Sequence, residues 1–424
     1  MRSLILVLTL LSGLLADAQT YFPPQSGTTW DTLNAQQLGW CPQYLDTLDA
    51  FLAQANTKSF IILKDGKIVH ERYFGSFQQD SVWYWASAGK TLMAFLVGKA
   101  QEEGLVDIQL PVSSYLGAGW TSTTPAQEQQ IRVLDQLQMT TGLDYQVPDL
   151  DCTQPACLNF KAPAGNQWYY HNAPYLLVHD VLENATGGST NLYTFQQLHQ
   201  SIGFSGFWSG TLYISTARAM ARFGLLMLAE GKWNGQSILN DSLYFKAMVS
   251  PSQSLNPAYG YLTWLNGQSS YIQPGLPFSF NGPIVPNAPA DMYMAAGKND
   301  QRIYVVPSEK LVVVRQGNAA DSSLLALSGF DPNLWTILNQ LRCTGVNLTN
   351  ILKNQDYGVY PNPSRGSFKI GPSWSKQLKI LTLNGQRLPF EQTGRTLRIK
   401  THHPGLYLLV DEERGVVQKI SLRP

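Results

Sequence analysis

Strand-like runs lie near both ends of a segment of about 300 residues, and helical patterning fills the space between. Any sheet must therefore be closed by residues far apart in the chain. A helix-like stretch over 43–54 comes first. A hairpin follows, with runs over 59–63 and 68–74 around the turn Lys64-Asp65-Gly66-Lys67. Strand signals return over 292–296, 301–306 and 311–315, and an amphipathic helix over 333–341 closes the segment. This order predicts an α+β fold: an antiparallel sheet carrying both terminal helices, with a helical subdomain beside it. Terminal helices on one sheet would bring Cys41 and Cys343 together.

The N-terminus carries an export pattern. Arg2 precedes an apolar run over 4–15, and Ala16-Asp17-Ala18 offers a small-x-small cleavage site. The run is short of the roughly 20 residues that a spanning helix needs, so residues 1–18 are read as a signal peptide and no transmembrane segment is expected. An exported chain meets an oxidising compartment, and the four cysteines are read as disulfides. Cys152 and Cys157 flank a short Pro-containing loop, which leaves Cys41 for Cys343. A metal site fits less well, because no histidine lies near the cysteines at ligand spacing. No cofactor is expected. The net charge of +1 gives no sign of a nucleic-acid partner.

Composition shifts near residue 356. Residues 19–356 hold 18 Lys+Arg and 24 Asp+Glu, whereas residues 357–424 hold 11 and 4. The polar stretch 344–356 reads as a linker. The tail has β-rich runs over 367–370, 378–383, 396–400, 406–410 and 416–422, punctuated by Asn384-Gly385 and Pro404-Gly405. That pattern predicts a small all-β sandwich over 357–424.

Three stretches could carry chemistry. Ser87-Ala88-Gly89-Lys90 opens an apolar helix running to about Glu103. Residues at i and i+3 share a helix face, so serine and lysine can touch. Unpaired N–H groups at a helix start suit a developing oxyanion. A serine hydroxyl needs a base to take its proton, and Lys90 can serve if burial lowers its pKa. Trp168-Tyr169-Tyr170-His171-Asn172 could turn Tyr170 and Asn172 into one cleft, Tyr170 relaying a proton and Asn172 holding a substrate amide or orienting Lys90. Ala295-Ala296-Gly297-Lys298-Asn299-Asp300-Gln301 joins two strands. There Gly297 permits close backbone approach, and the Lys298 N–H could be a second oxyanion donor. Taken singly, each has a plain structural reading: an N-cap serine with a solvated lysine, an aromatic core edge with a turn asparagine, and a polar hairpin turn. His171 is read as a wall residue. Ser87 lacks the leading glycine of a nucleophile elbow.

As a set, the three stretches resemble the serine β-lactamase and penicillin-binding-protein superfamily. Supporting matches are Thr140-Thr141-Gly142-Leu143, Ser215-Thr216-Ala217-Arg218 and Tyr259-Gly260-Tyr261 with Trp264. The strand motif looks similar to that of class C-like esterases and 6-aminohexanoate-dimer hydrolases. The resemblance implies a serine hydrolase domain over 19–343 that cleaves small ester or amide bonds. It assigns Ser87 as nucleophile, Lys90 as general base, Tyr170 as proton relay and the N–H groups of Ser87 and Lys298 as oxyanion donors. Asn172, Gly297, Asn299 and Asp300 would bind or support the substrate. Asp300 stands where the family pattern usually has glycine, and a carboxylate there could repel an acidic substrate, attract an amine or pair with Lys298. Alternatives are a peptidoglycan-directed D,D-peptidase or β-lactamase, or a surface-binding protein with little turnover.

The tail has its own resemblance. Val359-Tyr360-Pro361-Asn362-Pro363, Gly366, Asn384-Gly385 and Gly405-Leu406-Tyr407 look like the C-terminal sorting domain of type IX secretion. That implies a secretion machinery as partner and delivery outside a Gram-negative bacterium. An accessory binding sandwich is the alternative.

Overall fold

The computed structural model of the chain describes residues 20–321, 328–343, 358–383, 385–400, 403–411 and 416–423. The expected signal peptide and linker lie outside the described residues. Six strands form the main sheet: β1 (Thr57–Lys64), β2 (Lys67–Tyr73), β3 (Trp264–Leu265), β4 (Tyr293–Gly297), β5 (Gln301–Val306) and β6 (Leu311–Gly317). Their spatial order is β2-β1-β6-β5-β4-β3, antiparallel throughout. The chain thus enters the sheet through β1 and β2 at one edge and returns only with β3 to β6, at the far edge and the centre, as the two-ended strand pattern requires.

Five helices matter for the site: α1 (Leu45–Gln54), α2 (Gly89–Glu102), α3 (Asn172–Thr186), α4 (Ala217–Leu228) and α5 (Phe330–Leu341). On one face α4 lies across β6, β5 and β1. Gly224 makes this possible, since a Cβ there would sit 2.6 Å from Val312 and 2.8 Å from Ile303. The terminal helices α1 and α5 pack on each other, and the Arg302 and Tyr304 side chains reach Asp331 in the first turn of α5. Both faces are covered, so every residue of β5 and β6 is buried. This explains why Leu311-Val312-Val313-Val314 reads as a continuous apolar run rather than an alternation.

Cys41 and Cys343 are bonded, as are Cys152 and Cys157. The first bond spans 302 residues and joins the chain on either side of the sheet. A smaller sheet of Val82–Tyr84, Leu212–Thr216 and Phe207–Ser209 leads into α2.

The tail contains two antiparallel four-stranded sheets. One is ordered Val359–Tyr360, Ser367–Ile370, Thr396–Ile399, Phe390–Thr393; the other Arg387–Leu388, Leu378–Thr382, Gly405–Asp411, Val416–Leu422. Phe368, Ile380, Leu397, Leu409 and Ile420 fill the space between them. Strand alternation turns Leu408 and Val410 the other way, and with Leu381 they join the apolar core of the larger part. Among the described residues no helix is long and apolar enough to cross a membrane.

Candidate active site

The strand Val82–Tyr84 delivers the chain to a sharp turn. Ala86 has φ 49°, a left-handed value that a non-glycine residue rarely holds. Residues Ala86–Ala88 then form a 3-10 turn that runs into α2. The regular helix therefore starts two residues after Ser87, not at it. The i, i+3 relation survives this change. The Lys90 Nζ lies 3.2 Å from Ser87 Oγ. Ser87 is half-buried, whereas Lys90 is buried.

Burial pulls the Lys90 ammonium down to about 7, with the charge of Asp151 acting in the opposite sense. Two aromatic faces complete its surroundings: Tyr175 at 4.0 Å and Tyr170 at 5.1 Å from ring centroid to Nζ. Tyr170 is buried in an aromatic box, stacked on Trp264 at 5.9 Å and edge-on to Tyr259 at 6.2 Å. Burial pushes its phenol well above the ordinary tyrosine range, partly offset by a hydrogen-bonding contact with Ser87. Near neutral pH Tyr170 thus keeps its proton, and a substantial fraction of Lys90 is without one. The structure brings Ser87, Lys90 and Tyr170 into one place.

The third stretch arrives from β4. A Cβ on Gly297 would meet the Trp85 carbonyl oxygen at 2.3 Å and the Ala88 nitrogen at 2.9 Å. Only glycine lets the end of β4 press against the Ala86–Ala88 turn. Arg302 Nη1 donates to the Gly297 carbonyl at 2.8 Å. That carbonyl shares a trans peptide with the Lys298 N–H, which therefore points away from Arg302.

Asn172 and Asp300 are placed otherwise than the sequence reading expects. Asn172 is not on an irregular turn but is the first residue of α3. Its amide donates to Asp151 Oδ1 at 2.8 Å, not toward Lys90, and its Oδ1 is buried with no partner among the described residues. Asp300 turns inward. Asn299 and Asp300 have φ 60° and 57°, and this double left-handed bend rotates the Asp300 carboxylate behind the strand. There it accepts from Arg302 at 3.2 Å, Ser328 at 2.7 Å and the Ala320 N–H at 3.0 Å. It does not pair with Lys298, whose side chain is exposed. Asn299 donates to the Tyr84 hydroxyl at 2.7 Å. His171 is buried with both ring nitrogens unpartnered among the described residues, and burial pulls its pKa down to about 4.

The family model described as Beta-lactamase matches residues 46–198, which include Ser87, Lys90 and Tyr170. A solved structure from Bacillus anthracis, named as a candidate 6-aminohexanoate-dimer hydrolase, superposes with a TM-score of 0.57 at 17% identity, covering 75% of this chain and 89% of that one. The fold is that of the β-lactamase and transpeptidase-like serine hydrolases. A family VIII carboxylesterase is similar at a TM-score of 0.54 and 14% identity, covering 72% of this chain and 98% of that one. An uncharacterized protein of Alkalihalophilus pseudofirmus is 24% identical over 316 residues, 64% of this chain and 86% of that protein.

Within this β-lactamase-like fold, sequence reasoning passed over Asp151 and Tyr175. Tyr175 lies one turn into α3, and its spacing of three from Asn172 was the available signal, since both share the first face of that helix. Asp151 precedes a disulfide loop and carried no signal: only the fold sets it beside Asn172.

Proposed function

We propose that the chain is a serine hydrolase that cleaves small ester or amide bonds through an acyl-enzyme on Ser87. The observation that carries this reading is the 3.2 Å contact between Lys90 Nζ and Ser87 Oγ, made by a lysine whose burial frees it of its proton near pH 7. Neutral Lys90 takes the Ser87 proton as the oxygen attacks the carbonyl carbon. The oxyanion forms between the N–H groups of Ser87 and Lys298. Tyr170, held protonated by burial, passes a proton to the departing alcohol or amine and recovers it from Lys90. Water then attacks the acyl-enzyme by the same route in reverse. Asn172 Oδ1, buried and unpartnered among the described residues, suits an N–H donor of an amide substrate. The names of two structural relatives, a 6-aminohexanoate-dimer hydrolase and a carboxylesterase, favour ester or amide cleavage. Two disulfides are compatible with the export that the N-terminal pattern implies, and we read the tail as its sorting domain.

The test is a pair of assays on wild type and Ser87→Ala, one with a p-nitrophenyl ester and one with a chromogenic cephalosporin. Serine-dependent ester turnover is expected. Fast cephalosporin turnover without ester cleavage would overturn the substrate class, and equal rates in Ser87→Ala would overturn the mechanism.

A further inference from the structure

We infer that Asp151, fixed by the Cys152–Cys157 loop, is a positioning residue for the Ser87–Lys90–Tyr170 group. This rests on the hydrolase reading above. The loop is tied at both ends. Its far side is held by Ser122, whose hydroxyl donates to the Pro155 carbonyl at 2.7 Å and whose N–H donates to Leu158 at 3.1 Å. Its near side is clamped to the start of α3: the Ala173 N–H donates to the Leu150 carbonyl at 2.8 Å, and Asn172 Nδ2 donates to Asp151 Oδ1 at 2.8 Å. Tyr170 lies two residues before Asn172. The two residues that lead into the loop, Leu150 and Asp151, therefore hold the segment that presents the phenol. The disulfide closes the chain immediately after Asp151, with a Cα–Cα distance of 6.0 Å, and limits how far that residue can stray.

Asp151 also acts through charge. The groups around Lys90 are the Ser87 hydroxyl, the rings of Tyr170 and Tyr175, His179 and Asp151. His179 is held neutral by burial, its pKa pulled down to about 4. Both tyrosines are held protonated. Asp151 is thus the named neighbour that carries a negative charge at neutral pH, and it favours the protonated form of Lys90. Its side chain is exposed, so salt screens this effect. A purely structural role is the competing explanation, because a carboxylate at the start of a helix is favourable in itself.

Three full-length variants separate these roles. Asp151→Asn removes the charge but keeps an acceptor for Asn172. Asp151→Ala removes both. The double substitution Cys152→Ser with Cys157→Ser releases the loop. In Asp151→Asn the acid limb of the kcat/KM profile should move to lower pH by roughly half a unit, with kcat on the plateau near wild type. In Asp151→Ala the same shift should come with a several-fold loss of kcat at nearly constant KM, and the double variant, which keeps the charge, should show the loss of kcat with a smaller shift. The inference is overturned if the profiles of Asp151→Asn and Asp151→Ala superimpose on wild type, or if the variants lose only thermal stability. Fluorophosphonate labelling of Ser87 keeps the two readings apart. Labelling that persists while the acid limb stays fixed defeats this inference alone; a wild type that never labels defeats the hydrolase reading first.

Discussion

Buried polar groups on the two sides of the 298–300 turn are treated in opposite ways. Behind the turn, each charge has its partners. Arg302 makes a two-pronged pair with Asp331 at 2.8 and 2.9 Å, and also holds Asp300 and the Gly297 carbonyl. Arg315 donates to the Asn299 and Asp300 carbonyls at 2.8 and 3.0 Å. In front of the turn, Lys90 is buried without a paired carboxylate in contact, and Asn172 Oδ1 and both His171 nitrogens have no partner among the described residues. A satisfied network stiffens a frame, whereas unsatisfied groups with displaced pKa values mark a place prepared for a ligand. We read the rear cluster as architecture and the front cluster as the place of the proposed chemistry.

Substitutions should separate along that line. Lys90→Ala and Tyr170→Phe should each cost two to four decades, roughly, in ester turnover, while denaturant midpoints stay close to wild type. Retention of full rate by either variant would remove its assigned role. Asp331→Ala should do the reverse. It removes the two-pronged partner of the buried Arg302 guanidinium and leaves Asp300 as its carboxylate, which costs about 3 kcal/mol of stability, measurable by urea unfolding. Asn172→Ala, which leaves no buried charge alone, should lose far less stability and chiefly raise KM for amide substrates.

A smaller effect tests the same contrast by pH. The base form of Lys90 grows as pH rises, so kcat/KM should climb through about pH 7 and level off above it. Because burial lowers this lysine's pKa on folding, its proton leaves more readily from the folded than from the unfolded chain. Its burial therefore weighs against the fold at pH below its unfolded pKa: the penalty grows as pH falls from there toward about 7 and levels off below it. Lys90→Met should flatten both the rate profile and this part of the stability profile.

Much of the frame could be read from residues in series. The hairpin at β1 and β2, the late strands β4 to β6 and the terminal helices fall within a few residues of their expected places. Ser87 and Lys90 were legible because a helix turn makes three residues in sequence neighbours in space. Asn172 was expected to turn into the cleft with Tyr170, yet it opens α3 with Pro174 two residues on. In the first turn proline forgoes only an N–H that has no helical partner. Asp300 misled for a different reason: its neighbours Lys298 and Asn299 border the cleft side, but two left-handed residues reverse the direction of the side chain. No local pattern encodes that reversal, because it is set by Arg302 and Ser328 waiting behind the strand. Asp151 is the converse case, a carboxylate with no motif of its own that long-range folding sets against Asn172.

The most direct test of the central claim is covalent. The intact protein is treated with a fluorophosphonate, and the adduct is located by peptide mass spectrometry, for wild type, Ser87→Ala and Lys90→Ala. The account predicts one adduct on Ser87 in wild type, none in Ser87→Ala and much slower formation in Lys90→Ala. An adduct on another serine, or labelling of Ser87 that is indifferent to the loss of Lys90, would contradict it.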